Sequence, residues 1–180
     1  MYHCHLHFYL TGQQCKAFET IKEMSPLEHF THEFSESNMP EKAMAANADV
    51  ILANLHGMDA KEAVQMLLSL KNSDAEMIVL VSQEQVSLIE DSLSGLKDIW
   101  VMPMSEAETR FRFLRWQQTC KMSRDFDQTS NFFETTINSV PNLIWYKDKD
   151  GIHRKVNDSF CKTVNKAKEQ VEVFFKHTTF

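Results

Sequence analysis

Over the first 120 residues, apolar positions recur in two rhythms. Five short runs have strand character: HLHFYL (5–10), HFTHEF (29–34), DVILANL (49–55), EMIVLV (76–81) and DIWVM (98–102). The third and fourth are unbroken apolar stretches, as expected of parallel strands covered on both faces. Between the runs lie amphipathic segments, and Ala63, Val64, Met66, Leu67, Leu68 and Leu70 form the clearest helical face. The alternation predicts a parallel sheet with helices on both sides. Five such units in about 120 residues point to an α/β, flavodoxin-like sheet of five parallel strands in the order 2-1-3-4-5.

A recurring start signal marks the helices. In a capping box a Ser, Thr, Asp or Asn precedes a Glu or Gln by three residues, so that two orphan backbone donors are satisfied reciprocally. The pattern occurs at Thr11–Gln14, Asn38–Glu41, Asp59–Glu62, Ser82–Gln85 and Ser105–Glu108, each after one of the five runs. Beyond Ser105 neither Gly nor Pro appears until Pro141, so residues 105–140 predict one long helix or two joined near Asp127–Asn131. Phe126, Ser130, Phe133, Ile137 and Val140 follow the 4-3-4-3 spacing of a coiled-coil seam, which makes this helix a candidate homodimer contact, with core packing against the following domain the equal alternative.

In sheets of this topology, ligands and chemistry sit beyond the carboxyl ends of the strands. There the chain resembles the receiver domain of bacterial response regulators, over about residues 4–120. VILANLHGMDA at the third strand, MIVLVS at the fourth and GLKDIWVMP at the fifth carry the resemblance. It implies an acidic pair after strand one, an aspartate phosphoacceptor after strand three, a Ser or Thr after strand four and a lysine before the strand-five proline. This sequence instead offers Phe8-Tyr9-Leu10-Thr11, then Asn54, then Val81-Ser82, then Met102-Pro103. Mg²⁺ demands hard oxygen ligands, usually carboxylates. Tyr9, Leu10 and Asn54 supply none, and an amide is a poor nucleophile. A pseudo-receiver is expected, with a degenerate pocket of Tyr9, Leu10, Asn54, Val81, Ser82 and Met102 and no catalysis.

Residues 131–172 resemble the opening of a PAS sensory domain: a leading helix, the turn VPN, the strand LIWYKD with Trp145, a turn carrying Asp150-Gly151, the strand IHRKVN and a helix from Asn157. Asp-Gly between two apolar runs is independently a hairpin signal, and Asn157 or Asp158 is a natural N-cap. After Glu172 the chain reads VFFKHTTF and leaves that pattern. The expectation over 131–180 is therefore an incomplete α+β PAS domain, its tail Val173, Phe174, Phe175 and Phe180 exposed unless covered. The domain reading is thus a pseudo-receiver (1–120), a signalling helix overlapping its end (105–140) and a PAS segment (131–180).

Composition narrows the partners. The net charge of −6 gives no global attraction to nucleic acid, although Arg110, Arg112, Arg115, Lys121 and Arg124 are locally basic, as a solvated helix face can be. No apolar run approaches the ~20 residues of a membrane span, and MYHCHLHFYL lacks the pattern of a signal peptide, so the expected location is cytoplasmic. Four scattered cysteines form no CxxC pair. His3, His5 and His7 alternate along strand one, ~6.6 Å apart, and are a weak metal candidate that ordinary strand residues explain better. No cofactor is expected.

The leading functional reading is a non-catalytic bacterial signalling module. By resemblance alone it would control an output domain such as a diguanylate cyclase (GGDEF) or histidine kinase. A flavodoxin-like enzyme or cofactor-binding protein is the main alternative, and a dimerisation scaffold the second.

Overall fold

In a computed structural model that describes residues 2–172, five parallel strands form one sheet in the order β2-β1-β3-β4-β5. They are β1 (Cys4–Gly12), β2 (Phe30–Ser37), β3 (Val50–Asn54), β4 (Glu76–Ser82) and β5 (Asp98–Met102). The connections are α1 (Lys16–Glu23), α2 (Lys42–Asn47), α3 (Ala60–Leu70) and, between β4 and β5, a 3-10 segment, Val86–Gly95. The flavodoxin-like topology read from the sequence is the one observed.

Period-two alternation sorts the side chains. Leu6, Phe8, Leu10, Leu52, Ile78 and Leu80 bury one face beneath Phe18 and Ile21 of α1 and Phe113 and Trp116 of the helix after β5. Tyr9, Ile51, Ala53, Met77, Val79 and Val81 bury the other beneath Ala45 of α2, Val64 and Leu67 of α3, and Ile89. The central strands β3 and β4 are apolar on both faces, which is why they read as continuous runs.

Helix α4 (Glu106–Ser139) is a single helix of 34 residues. Ser105 Oγ accepts from Glu108 N (3.1 Å), and Glu106–Arg110 and Glu108–Arg112 pair at i,i+4 spacing. Pro141 forbids its continuation. Asp59 likewise caps α3, accepting from Glu62 N at 3.0 Å.

Two other capping boxes are corrected. β1 runs on through Thr11 to Gly12, so α1 begins only after Cys15, and α2 has Glu41 at its N-cap with no side-chain bond. The Ser82–Gln85 box caps no α-helix. Its Gln85 Oε1 accepts from Ser82 N (3.0 Å), but the segment that follows is 3-10.

The chain divides into two compact units between Lys121 and Met122. In the second, β6 (Trp145–Lys147) and β7 (His153–Val156) form an antiparallel hairpin, followed by α5 (Asp158–Val164) and α6 (Lys168–Val171). Asp148 holds the turn. Its carboxylate accepts from Asp150 N, Ile152 N and Arg154 Nε, at 3.0, 3.0 and 2.6 Å. Lys155 and Lys168 both pair with Glu134 of α4. The expected apolar tail Val173, Phe174, Phe175 and Phe180 lies outside the described residues.

The seam Phe126–Ser130–Phe133–Ile137–Val140 also needs correction, because Ile137 is buried within its own unit. The large apolar residues left exposed on α4 there are Met122 (70%), Phe126 (72%), Phe132 (72%) and Phe133 (51%).

Candidate functional site

The carboxyl edge of the sheet is where this topology would place chemistry. β1 ends at Thr11-Gly12, β3 at Asn54, β4 at Ser82 and β5 at Met102, followed by Pro103. Gly12 is in register with Asn54, and Ser82 with Met102. A Cβ on Gly12, which sits at φ +97°, would lie 2.1 Å from the Asn54 carbonyl oxygen. Only glycine lets β1 and β3 close this tightly.

Asn54 is 5% exposed, and its amide is engaged at both ends. Nδ2 donates to Gln13 O (2.7 Å) and Oδ1 accepts from His56 N (3.2 Å). The side chain therefore ties the exits of β1 and β3 together. Gln85 closes the neighbouring gap. It receives Ser82 N and donates from Nε2 to Leu55 O (2.9 Å) and Met58 O (3.2 Å). Neutral amides thus tie the exits of β1, β3 and β4 together.

The degenerate pocket expected from the sequence does not assemble. Asn54, Ser82 and Met102 stand at strand ends. Tyr9 and Leu10 lie inside β1, fully buried on opposite faces of the sheet, and Val81 is buried on the Tyr9 face. The physical reason is strand length: β2 and β3 pair with β1 as far as Thr11 and Gly12, which moves the exit beyond Tyr9 and Leu10.

Two carboxylates near this edge have structural partners. Glu36 accepts from Lys22 and Gln14 (both 2.6 Å), and the Lys22 bond above all holds it below the usual carboxylate range. Asp59 caps α3. The arrangement offers neither a Mg²⁺ site nor an acidic nucleophile among the described residues.

His5 and His7 share one face of β1, and His3 just precedes that strand. His5 contacts Thr31 Oγ1 (2.9 Å) and Glu33 Oε2 (3.0 Å), and His7 contacts Ser35 Oγ (2.9 Å) and Asn47 O (3.2 Å). His3 is exposed, 3.5 Å from Thr31 Oγ1. No three His, Cys, Asp or Glu side chains among the described residues group to hold a metal ion. His32 is on the opposite face, among Phe8, Phe34 and Phe113, where burial and then the charge of His5 depress its pKa to about 4. Burial pushes the Cys15 and Cys161 thiols up, away from thiolate reactivity.

In the second unit Asn157 is fully buried and organises its surroundings. Oδ1 accepts from Ile144 N and Phe160 N (3.1 and 3.0 Å), and Nδ2 donates to Ile137 O, Val140 O and Asn142 O. Trp145 is half exposed against Phe160, Asp150 is an exposed turn residue, and Gly151 takes φ +78°.

No protein-family model matches the chain, and no curated protein matches it. Among solved structures, a crystal structure described as a CpaE2 pilus assembly protein from Sinorhizobium meliloti 1021 is similar, with 16% identity and a TM-score of 0.44 over 57% of this chain and 92% of that one. A likeness of that level adds nothing to the topology above.

Sequence reasoning missed Gly12 and Gln85. Gly12 had a signal, being one of only four glycines and lying just past a strand-like run. Gln85 had none, since its local context reads as a helix cap.

Proposed function

We propose that this chain is a non-catalytic signal-transduction module, a pseudo-receiver whose helix α4 leads into the opening of a PAS sensor domain. The observation that carries this reading is the neutral, hydrogen-bonded end of β3. Where a phosphate-accepting receiver needs carboxylates around a reactive aspartate, this one has Asn54 with both amide ends hydrogen-bonded inside the fold. A fold does not fix a function, so the regulatory role rests on that strand end together with the sequence resemblances. An output domain such as a diguanylate cyclase or histidine kinase is the expected recipient of the signal, and a cytoplasmic location is part of the same proposal. No helix among the described residues is long and apolar enough to cross a membrane.

Homodimerisation through the helix after Ser105 belongs to this reading. Met122, Phe126 and Phe133 lie at intervals of four and seven residues, on one stripe of α4, and all are exposed. A second copy of the same stripe is the simplest cover, and a two-fold dimer the commonest closed solution.

Incubation with acetyl phosphate and Mg²⁺ tests the central claim: the mass should not rise by a phosphoryl group, and a stoichiometric adduct would overturn the reading. For the dimer, light scattering should report two copies for the full chain and one for Phe126→Glu. A monomeric full chain at high micromolar concentration would remove the dimer from the proposal.

A further inference from the structure

At the carboxyl side of the sheet a groove of about 390 Å³ opens between the loop after β2 and the β3–β4 connection. Met39 and Pro40 form one wall, Gly57 and Met58 another, and Ala63 and Met66 of α3 the rest. Ala63 is buried and small, which leaves room above it, while Met39 (65% exposed) and Met66 (49%) stand up at the sides. Nothing in the receiver-like reading uses this surface.

The backbone under the groove is pinned from inside. The fully buried Tyr9 sends its hydroxyl to Met39 O (3.2 Å) and receives Glu41 N (2.8 Å), and Ser37 Oγ also donates to Met39 O, at 2.5 Å. On the opposite side Gln85 Nε2 holds Met58 O, and the Asp59 cap fixes the start of α3. Fixed walls carrying three methionines make a surface that costs little backbone ordering to bind. Flexible, polarisable thioethers let it adapt to differing apolar side chains. Glu62 and Asp59 border it, and the neighbouring Lys61 is drawn to Asp91 (3.4 Å), so the rim is acidic.

We infer that this groove docks a cationic amphipathic helix of a partner protein, its apolar stripe against Met39, Met58 and Met66 and its Lys or Arg side chains toward Asp59 and Glu62. The occupant follows from two features together: an apolar floor of a size for a few side chains from one helical face, and a rim of one charge sign, which selects and orients a basic partner.

The probe is a synthetic amphipathic helix of about fourteen residues, leucine on one stripe and lysine elsewhere, titrated into the full chain carrying ¹³C-labelled methionine methyls. A matched peptide with glutamate in place of every lysine serves as the control. Expected are shifts confined to Met39, Met58 and Met66, and a Kd weakened about tenfold or more by Met66→Glu and, separately, by Glu62→Lys. Circular dichroism should show both variants folded; Glu62→Lys alters only a rim residue and keeps the test open if Met66→Glu misfolds. Three outcomes would overturn the inference: the glutamate peptide binds as tightly, the shifts fall on Met122 of α4 instead, or no methionine shifts at millimolar peptide.

Discussion

The tightest point in the sheet is the meeting of Gly12 with β3, and Gly12→Ala reads it out. The new Cβ would stand 2.1 Å from Asn54 O, whereas ordinary contact begins at 3.4 Å, so the carbonyl must retreat by 3.4 − 2.1 = 1.3 Å. That oxygen belongs to a strand paired on both sides, and its residue also bonds Gln13 O through its side chain. Losing about two buried hydrogen bonds costs ~2–3 kcal/mol. Forcing an alanine to φ +97° adds ~1–2 kcal/mol. The expected loss is about 3–5 kcal/mol, a large share of an ordinary domain's stability.

Gly57 supplies the control. Its φ is +78° but a Cβ there meets nothing within 4 Å, so Gly57→Ala should cost only the backbone strain, ~1–2 kcal/mol. Asparagine, which tolerates this backbone region, should recover part of the loss at position 57 and none at position 12. Urea unfolding followed by tryptophan fluorescence reports on the right unit, because Trp100 and Trp116 are buried there. Equal losses in Gly12→Ala and Gly57→Ala would refute the close approach of β1 and β3.

Three further outcomes are expected. Asn54→Asp should not become a phosphoacceptor, and it should destabilise by about 2 kcal/mol at pH 7, because a carboxylate then faces the Gln13 carbonyl that the amide had donated to. Phosphorylation of that variant by acetyl phosphate would show that the end of β3 is less firmly held than its hydrogen bonds imply. His32, held at about 4 against an ordinary 6.5 and with Nδ1 lacking a hydrogen-bond partner among the described residues, takes a proton more readily unfolded than folded. Its contribution is therefore intact above pH 6.5 and lost as pH falls toward 4. The full shift of 6.5 − 4 = 2.5 corresponds to ~3.4 kcal/mol, and partial exposure reduces this to about 1–2 kcal/mol. His32→Phe should flatten that limb of the stability–pH curve, and an unchanged limb would acquit the residue. Finally, Asn157→Ala strands three carbonyls and two amides, costing about 3 kcal/mol or more locally. Limited proteolysis should cut residues 141–172 faster while the urea midpoint of the sheet unit stays put; a shift in that midpoint would contradict it.

The sequence by itself determined the alternation of strands and helices, and with it the 2-1-3-4-5 sheet, because period-two and period-3.6 apolar patterns are written locally and each element must bury its own face. It also located the caps at Asp59, Ser105 and Asn157, where a side chain reaches a backbone group three residues away. It placed Asn54 where a receiver would carry its aspartate.

Only the tertiary structure decided the rest. Thr11 carries a capping pattern yet starts no helix, because a strand stops where its neighbours stop pairing, and β2 and β3 hold β1 to Gly12; Asn38 starts none either, α2 taking Glu41 as its N-cap. Tyr9, Leu10 and Val81 fell into the core rather than a pocket for the same reason. Gln85, four residues past the apolar run of β4, became a staple across two connections, and Ile137 left the helical seam for its own unit's core. His3 and His5 stayed in solvent, His5 held to Thr31 and Glu33 of β2. For Thr11, Tyr9, Leu10, Gln85 and Ile137 the deciding partner lies twenty or more residues away, a distance over which a local pattern carries no information.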